Sequence, residues 1–364
     1  MQDPLKQIQL ISRLESEGCL QTLQNSDVQE VLRNTEFIVA DAAFHCSFVA
    51  ASLYSIPLAW YTIVGLIPPI LEGVGPSPAA NVPTFGSALS DNMTLFEATK
   101  NWFNSKTIQW IGLPIIVKII CEEVYRPLNL TLGKHDINTF SGCGAVVREI
   151  TSRSGIKLVL SDLAFEFPRD IAHNVQFVGN PLATPAAEIS DDKLSKFIQS
   201  ATAGFVVISL GNHGSWNSRD RTLAIARALR TQLPENVRVI WKVSGADKDW
   251  LQQEIVNQSM RLEKGGNDGE VIKYVEWMPQ NDILGHVNCK CFVTHGGMNS
   301  VQQAAYHGVP VVGTALLADQ FDNIARCVRH GFGQNLDTKS FTSETLVTKI
   351  NNVFTDPRYA LAAR

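Results

Sequence analysis

The sequence predicts an α/β protein of two domains, each built on a parallel sheet covered by helices. A chain of 364 residues is long enough for about two separate cores. From residue 205 onward, short apolar runs alternate with helix-compatible stretches. Residues 205–210 precede 220–231, residues 237–242 precede a polar run to Gly269, and residues 271–274 lead to Trp277. Such alternation implies parallel strands with helices on both faces. The segment Asn180-Pro181-Leu182-Ala183-Thr184-Pro185 reads as a polar, proline-marked linker, so the domains are placed at 1–185 and 186–364. In the first domain, residues 8–17 and 28–33 have helical patterns, while 37–40 and 157–160 read as strands. No internal repeat or low-complexity segment interrupts this order.

Composition narrows the function classes. Hydrophobic residues make up 45% and charged residues 18%, a globular balance. A net charge of −4 and a pI near 6.1 leave no basic surface for nucleic acid. The apolar stretch 48–70 is broken by Pro57, Pro68 and Pro69, so it reads as strand, helix and loop rather than a membrane span. Met1-Gln2-Asp3-Pro4 is polar and does not open a signal peptide. The seven cysteines are scattered and odd in number. Cys289 and Cys291 stand one residue apart, too close for a zinc pair, and free buried thiols are expected. Asp247-Lys248-Asp249 looks like a metal-binding acidic pair, but in its hydrophilic setting it reads as a solvated turn or helix start. No metal and no cofactor are expected. Three sequons, at Asn92, Asn129 and Asn257, decide nothing by themselves.

The chemistry concentrates in residues 277–320. Residues 291–294 read as a buried strand, and His295-Gly296-Gly297 turns the chain, the glycines permitting positive φ and close backbone approach. Residues 299–307 are helix-compatible, Gly308 is a C-cap, and Val309-Pro310 opens the next strand. A helix start offers unpaired N–H groups that suit a phosphate, to which Asn299, Ser300 and His295 can add donors. The Trp277 indole can stack on a base, and Gln280 can bond a base edge or ribose. Asp319 and Gln320 follow a further strand at the sheet edge where ligands bind, and together they can grip sugar hydroxyls. Each feature also has a plain structural reading: a core tryptophan, an ordinary N-cap, or a cap for residues 321–324.

The joint spacing resembles the signature box of the UDP-glycosyltransferases. That resemblance implies a GT-B fold, two Rossmann-like domains facing a cleft, with an incomplete N-terminal domain. It places Trp277 on uracil and Gln280 on uracil or ribose. His295, Gly297, Asn299 and Ser300 hold the diphosphate, while Asp319 and Gln320 hold the sugar. Gly211, closing the strand 207–210, resembles the glycine turn that begins the donor domain; Asn212 stands where the family usually has Ser. The family usually has Glu where this chain has Gln303, and an amide offers one acceptor atom to the ribose where a carboxylate offers two. Residues 165–168 and 174–179 resemble the family's approach to the interdomain linker, and residues 92–96 resemble a stretch of the animal-type acceptor domain.

Residues 37–42, followed by Cys46 and Ile56-Pro57, resemble the acceptor-domain strand that ends in the family's catalytic aspartate, here Asp41. In the family that Asp orients an upstream His, the general base that takes the acceptor proton. None of the eight histidines of this chain fits that position, and His45 is merely near Asp41 in sequence. The resemblance implies transfer of a hexosyl group from a UDP-sugar to a hydroxyl of a small lipophilic acceptor, with inversion. A UDP-sugar-binding protein without fast transfer, and a nucleotide-sugar epimerase of the same fold, are the alternatives. Animal members carry a secretory signal and a C-terminal anchor. With neither read here, the chain is expected to be soluble and cytoplasmic, or part of an endoplasmic-reticulum membrane enzyme.

Overall fold

The computed structural model describes residues 4–64, 80–127, 139–152, 155–211, 218–259 and 271–364, with Asp136, Gly214 and Trp216. Asn212, the Asn129 sequon, the Pro68-Pro69 pair and residues 260–269 of the polar run lie outside the described residues. The chain divides into two units, Met1–Phe85 with Asp91–Gly179, and Gly86–Ser90 with Asn180–Arg364. The linker read from the sequence therefore begins where the second unit begins, and it packs as part of that unit.

The first unit opens with α1 (Pro4–Gln24) and α2 (Ser26–Arg33), followed by β1 (Ile38–Asp41), α3 (His45–Leu53) and β2 (Leu58–Thr62). Then come α4 (Leu95–Thr107), α5 (Leu113–Ile120), α6 (Phe140–Ser152), β3 (Ile156–Val159) and β4 (Val175–Phe177). Helix α4 starts on a capping box in which Thr94 and Glu97 bond each other's backbone N–H groups. The strands form one sheet in sequence order β1-β2-β3-β4, every pairing parallel. Leu58, Ala59 and Trp60 of β2 are buried with Phe48, Val49, Val124 and Tyr125. Each such large apolar side chain contributes roughly 1.5–3 kcal/mol by leaving water.

Cys289 and Cys291 are free and buried, as expected, while four other cysteines form two cystines. Cys19 of α1 is bonded to Cys46 of α3, and Cys121 of the π-helical turn Cys121–Tyr125 is bonded to Cys143 of α6. Only Cys289, Cys291 and Cys327 are free, and these are buried as expected. The pairings join helices brought together by packing, so spacing along the chain could not reveal them.

The second unit contains α7 (Asp192–Gln199), β5 (Gly204–Ser209), α8 (Arg219–Gln232), β6 (Val237–Lys242), α9 (Gly245–Ser259) and β7 (Ile272–Val275). After these come α10 (Gln280–Leu284), β8 (Cys289–Thr294), α11 (Met298–Tyr306), β9 (Val311–Gly313) and α12 (Gln320–Arg329). The unit ends with β10 (Gly333–Asn335), α13 (Ser343–Thr355) and α14 (Pro357–Ala363). Asp247 lies in the first turn of α9 and accepts from Ser244, which fits the reading of that acidic stretch as a helix start. The sheet order is β10-β9-β8-β5-β6-β7, all parallel. All six residues of β5 are buried, which is why this strand reads as a continuous apolar run rather than an alternating one. Around it, Val206, Ile208, Val239, Trp241, Val293 and Leu346 form the main core. The chain enters this sheet at its centre, builds outward through β6 and β7, then returns to add β8 on the other side of β5. The gap between the C-terminal ends of β5 and β8 is thus the topological switch point, where open α/β sheets bind ligands.

Alkylation in denaturant is expected to label three thiols before reduction and seven after it, read by intact mass. Cys19→Ser should cost about 2–4 kcal/mol of stability, measured by denaturant unfolding under non-reducing conditions.

Candidate functional site

The switch point is occupied by the His295 imidazole. Gly211 follows β5 with φ +81°, and a Cβ there would come within 3.0 Å of His295 Cε1 and Nε2. A Cβ on Gly297 would stand 2.6 Å from Nε2. The two glycines therefore leave a slot that only an unsubstituted backbone permits, and the ring fills it. Burial lowers the His295 pKa, with Lys242 acting in the same direction and a backbone bond to Ser209 opposing them. At neutral pH the ring is uncharged, so what it offers an anion is an N–H bond rather than a full positive charge. Helix α11 begins directly behind it, with Gly297 as an N-cap that supplies no side-chain bond. The positive end of that helix faces the same point.

Trp277 lies between β7 and α10 and is 74% exposed, so it is no core residue. Gln280 opens α10, and its Nε2 donates to Ser300 Oγ at 3.3 Å and to Gln303 Oε1 at 2.8 Å. Ser300 and Gln303 are both buried on α11. Gln303 Nε2 in turn donates to the Leu182 carbonyl at 3.0 Å, and Asn180 Nδ2 donates to the Asn299 carbonyl at 3.4 Å. The linker thus lies along the first turns of α11. The amide at position 303 has a structural reason that the sequence does not show, because a carboxylate could not donate to Leu182.

Asp319 and Gln320 stand at the start of α12. Gln320 Oε1 accepts from the N–H groups of Leu316 and Leu317, at 2.9 and 3.0 Å, which commits its oxygen to shaping the preceding loop. Its amide nitrogen is the end that can face a ligand. The Asp319 carboxylate accepts from Asn323 Nδ2 at 2.7 Å, and burial raises its pKa to about 6. Further along α12, Asp322 accepts from the backbone N–H groups of Gly86 and Ala88, at 2.7 and 3.1 Å, tying residues 86–90 into this unit. No local pattern signals that contact, since the partners are more than two hundred residues apart.

Asp41 belongs to the first unit, at the C-terminal end of β1. It accepts from Ala43 N–H at 2.9 Å, and Tyr61 is its register partner on β2, where burial and the nearby Asp41 carboxylate raise the Tyr61 pKa. Tyr61 was not singled out from the sequence, although the parallel pairing of 38–41 with 58–61 would have indicated it. His45 is turned into the core, 7% exposed, with Nδ1 3.1 Å from the Tyr125 hydroxyl. Burial depresses its pKa to about 4. It is a structural histidine. Among the described residues, no group of three or more His, Cys, Asp or Glu could hold a metal ion.

Gly297→Ala is expected to push the His295 ring from its slot, read as a shift of the His295 imidazole signals by NMR and a lower melting temperature. Gln303→Glu should lower the melting temperature, because a buried carboxylate would face the Leu182 carbonyl at a cost of about 1–3 kcal/mol.

Comparison with known proteins places the chain among relatives. The chain is 32% identical over 365 residues to 2-hydroxyacylsphingosine 1-beta-galactosyltransferase of Mus musculus, covering 99% of this chain and 61% of that protein. It is 31% identical to UDP-glucuronosyltransferase 2B23 of Macaca fascicularis, covering 94% and 59%. The chain therefore spans about three fifths of the length of these relatives. Among solved structures, UDP-glucose: anthocyanidin 3-O-glucosyltransferase in complex with UDP matches at TM-score 0.60 and 14% identity, over 100% of this chain and 76% of that one. Os79 from O. sativa, in complex with U2F and trichothecene, matches at TM-score 0.62 and 16% identity, over 99% and 78%. These likenesses show the GT-B fold class, with its two Rossmann-like units. The model of the family described as UDP-glucoronosyl and UDP-glucosyl transferase matches residues 1–363, and the chain belongs to that family.

Proposed function

We propose that this chain binds a UDP-sugar and transfers its hexosyl group to a hydroxyl of a small lipophilic acceptor, with inversion. The observation that carries the reading is the His295 ring held between Gly211 and Gly297 at the head of α11, in a chain of this family. Trp277 stacks on uracil, and Gln280 with Gln303 meets the ribose. His295, Asn299, Ser300 and the first N–H groups of α11 receive the diphosphate. As the anomeric bond breaks, negative charge grows on that diphosphate, and donors already fixed in place stabilise it without reorganising. Asp319 and Gln320 hold the sugar hydroxyls. Asp41, at the end of β1, stands at the position of the family's orienting carboxylate.

Support for the acceptor class comes from the relatives. One is named for 2-hydroxyacylsphingosine, while the sugars named differ, galactosyl in one and glucuronosyl in another. Gln320 fits a glucose-type donor by resemblance to the family. No metal or cofactor takes part in this reading, and the UDP-sugar is a co-substrate. Binding without fast transfer is the second reading, favoured by the inward turn of His45, which leaves it unable to act as the base beside Asp41. Among the described residues, no helix is long and apolar enough to cross a membrane.

Calorimetry with UDP is the direct test, and Trp277→Ala should lose about 1–3 kcal/mol of binding if a base stacks there. Absence of UDP binding by the wild-type chain would remove the proposal. Released UDP with and without a lipophilic alcohol separates transfer from binding alone, and an epimer formed without acceptor would mark an epimerase. Asp319 also predicts a pH effect. Its folded pKa, about 6, lies above the ordinary value of 3.8, so its contribution to stability is present at low pH and lost as pH rises through 6. Asp319→Asn should therefore raise stability at pH 7–8 by on the order of 1–2 kcal/mol, read by denaturant unfolding, while weakening UDP-sugar more than UDP.

A further inference from the structure

Helix α12 has a second role beyond presenting Gln320. Asn323 on this helix is wholly buried, at 0% exposed, yet it is fully engaged in hydrogen bonds. Its Nδ2 donates to the Gly296 carbonyl at 3.0 Å and to Asp319 Oδ2 at 2.7 Å. Its Oδ1 accepts from Arg326 Nη1 at 3.0 Å. One amide thus joins the turn after β8 to the carboxylate at the head of α12. A buried amide satisfied in this way is directional, because turning it would leave a donor unpaired in a medium that cannot replace the bond.

The neighbouring residue removes the remaining freedom. Ile324 is 1% exposed, and its side chain fills the space where a Cβ on Gly296 or Gly313 would stand, 2.6 and 2.5 Å away. The helix is therefore wedged against the ends of β8 and β9 by an apolar contact and fixed in register by a polar one. Arg326 and Asp322 are the charged groups that act on Asp319: Arg326 favours its ionised form and Asp322 opposes it. Asp322 is itself held by the Gly86 and Ala88 N–H groups.

We infer that Asn323 is a positioning residue that locks the Asp319 carboxylate to the His295-Gly296-Gly297 turn, so that the sugar-holding and phosphate-holding groups move as one piece. The inference rests on the reading of Asp319 as a sugar-holding group. Its consequence is specific: loss of the Asn323 amide frees Asp319 and takes one bond from the Gly296 carbonyl, but touches no contact of the uracil platform. The amide also favours the ionised carboxylate, so its removal shifts the acid limb of UDP-sugar binding to higher pH.

The test measures UDP and UDP-glucose binding by calorimetry from pH 5.5 to 8. The proteins are the wild type, Asn323→Ala, Asp319→Ala and the double variant. For Asn323→Ala the expected result is UDP affinity within about threefold of wild type, UDP-glucose affinity reduced about tenfold, and an acid limb moved upward. In the Asp319→Ala background, Asn323→Ala should add no further loss of the preference for UDP-glucose over UDP, because the partner through which it acts on the sugar is gone. Wild-type preference for UDP-glucose in Asn323→Ala, equal loss of both ligands, or simple additivity in the double variant would overturn the inference. An Asp319→Ala protein that keeps the wild-type preference would instead overturn the reading of Asp319. Should Asn323→Ala not fold, Asn323→Asp keeps the shape and the Arg326 bond but replaces the donor with a second carboxylate. The same loss is expected from it, and unchanged selectivity in a folded Asn323→Asp protein would again overturn the inference.

Discussion

The second unit depends on the reversal of strand order at β5. A chain that starts in the middle of a parallel sheet, builds to one side and then returns to the other must leave the loops after the two central strands diverging. That divergence opens a space at the C-terminal ends of β5 and β8, where Ser209 pairs with Thr294. Gly211 and Gly297 keep the space narrow enough for one imidazole and free of competing side chains. Burial then makes that imidazole neutral. Topology, steric room and ionisation thus follow one from another.

The polar groups around this point are bonded to one another. Gln280 holds Ser300 and Gln303, Gln303 holds the linker at Leu182, and Gln320 holds the loop at Leu316 and Leu317. Such cross-bonding costs conformational entropy at folding rather than at binding, the general advantage of a preorganised site. It carries a stability cost as well, most plainly at Asp319, where a buried carboxylate is kept beside its partner Asn323 rather than exchanged for an apolar residue.

The first unit is organised differently. Its sheet runs in sequence order with no reversal among the described strands, and its helices are stapled by Cys19–Cys46 and Cys121–Cys143. Asp41 ends β1 beside Tyr61 because parallel register brings the ends of β1 and β2 level. The strand was legible at residues 37–40, since an apolar β-branched run shows itself locally. Tyr61 and the cystines were not, because each depends on a partner from another element.

The sequence by itself determined the alternation of strands and helices, the buried run of β5, the glycine turn at 295–297 and the family. Each of these is carried by neighbouring residues through periodicity, conformational freedom or fixed spacing. Tertiary structure alone decided that His45 faces the core, that Gln303 serves the linker and that Gly211 makes room for His295. It also decided that Asn323 joins two parts of the site. Those are contacts between residues far apart in the chain, and packing creates them. No local pattern encodes which distant group a side chain will meet.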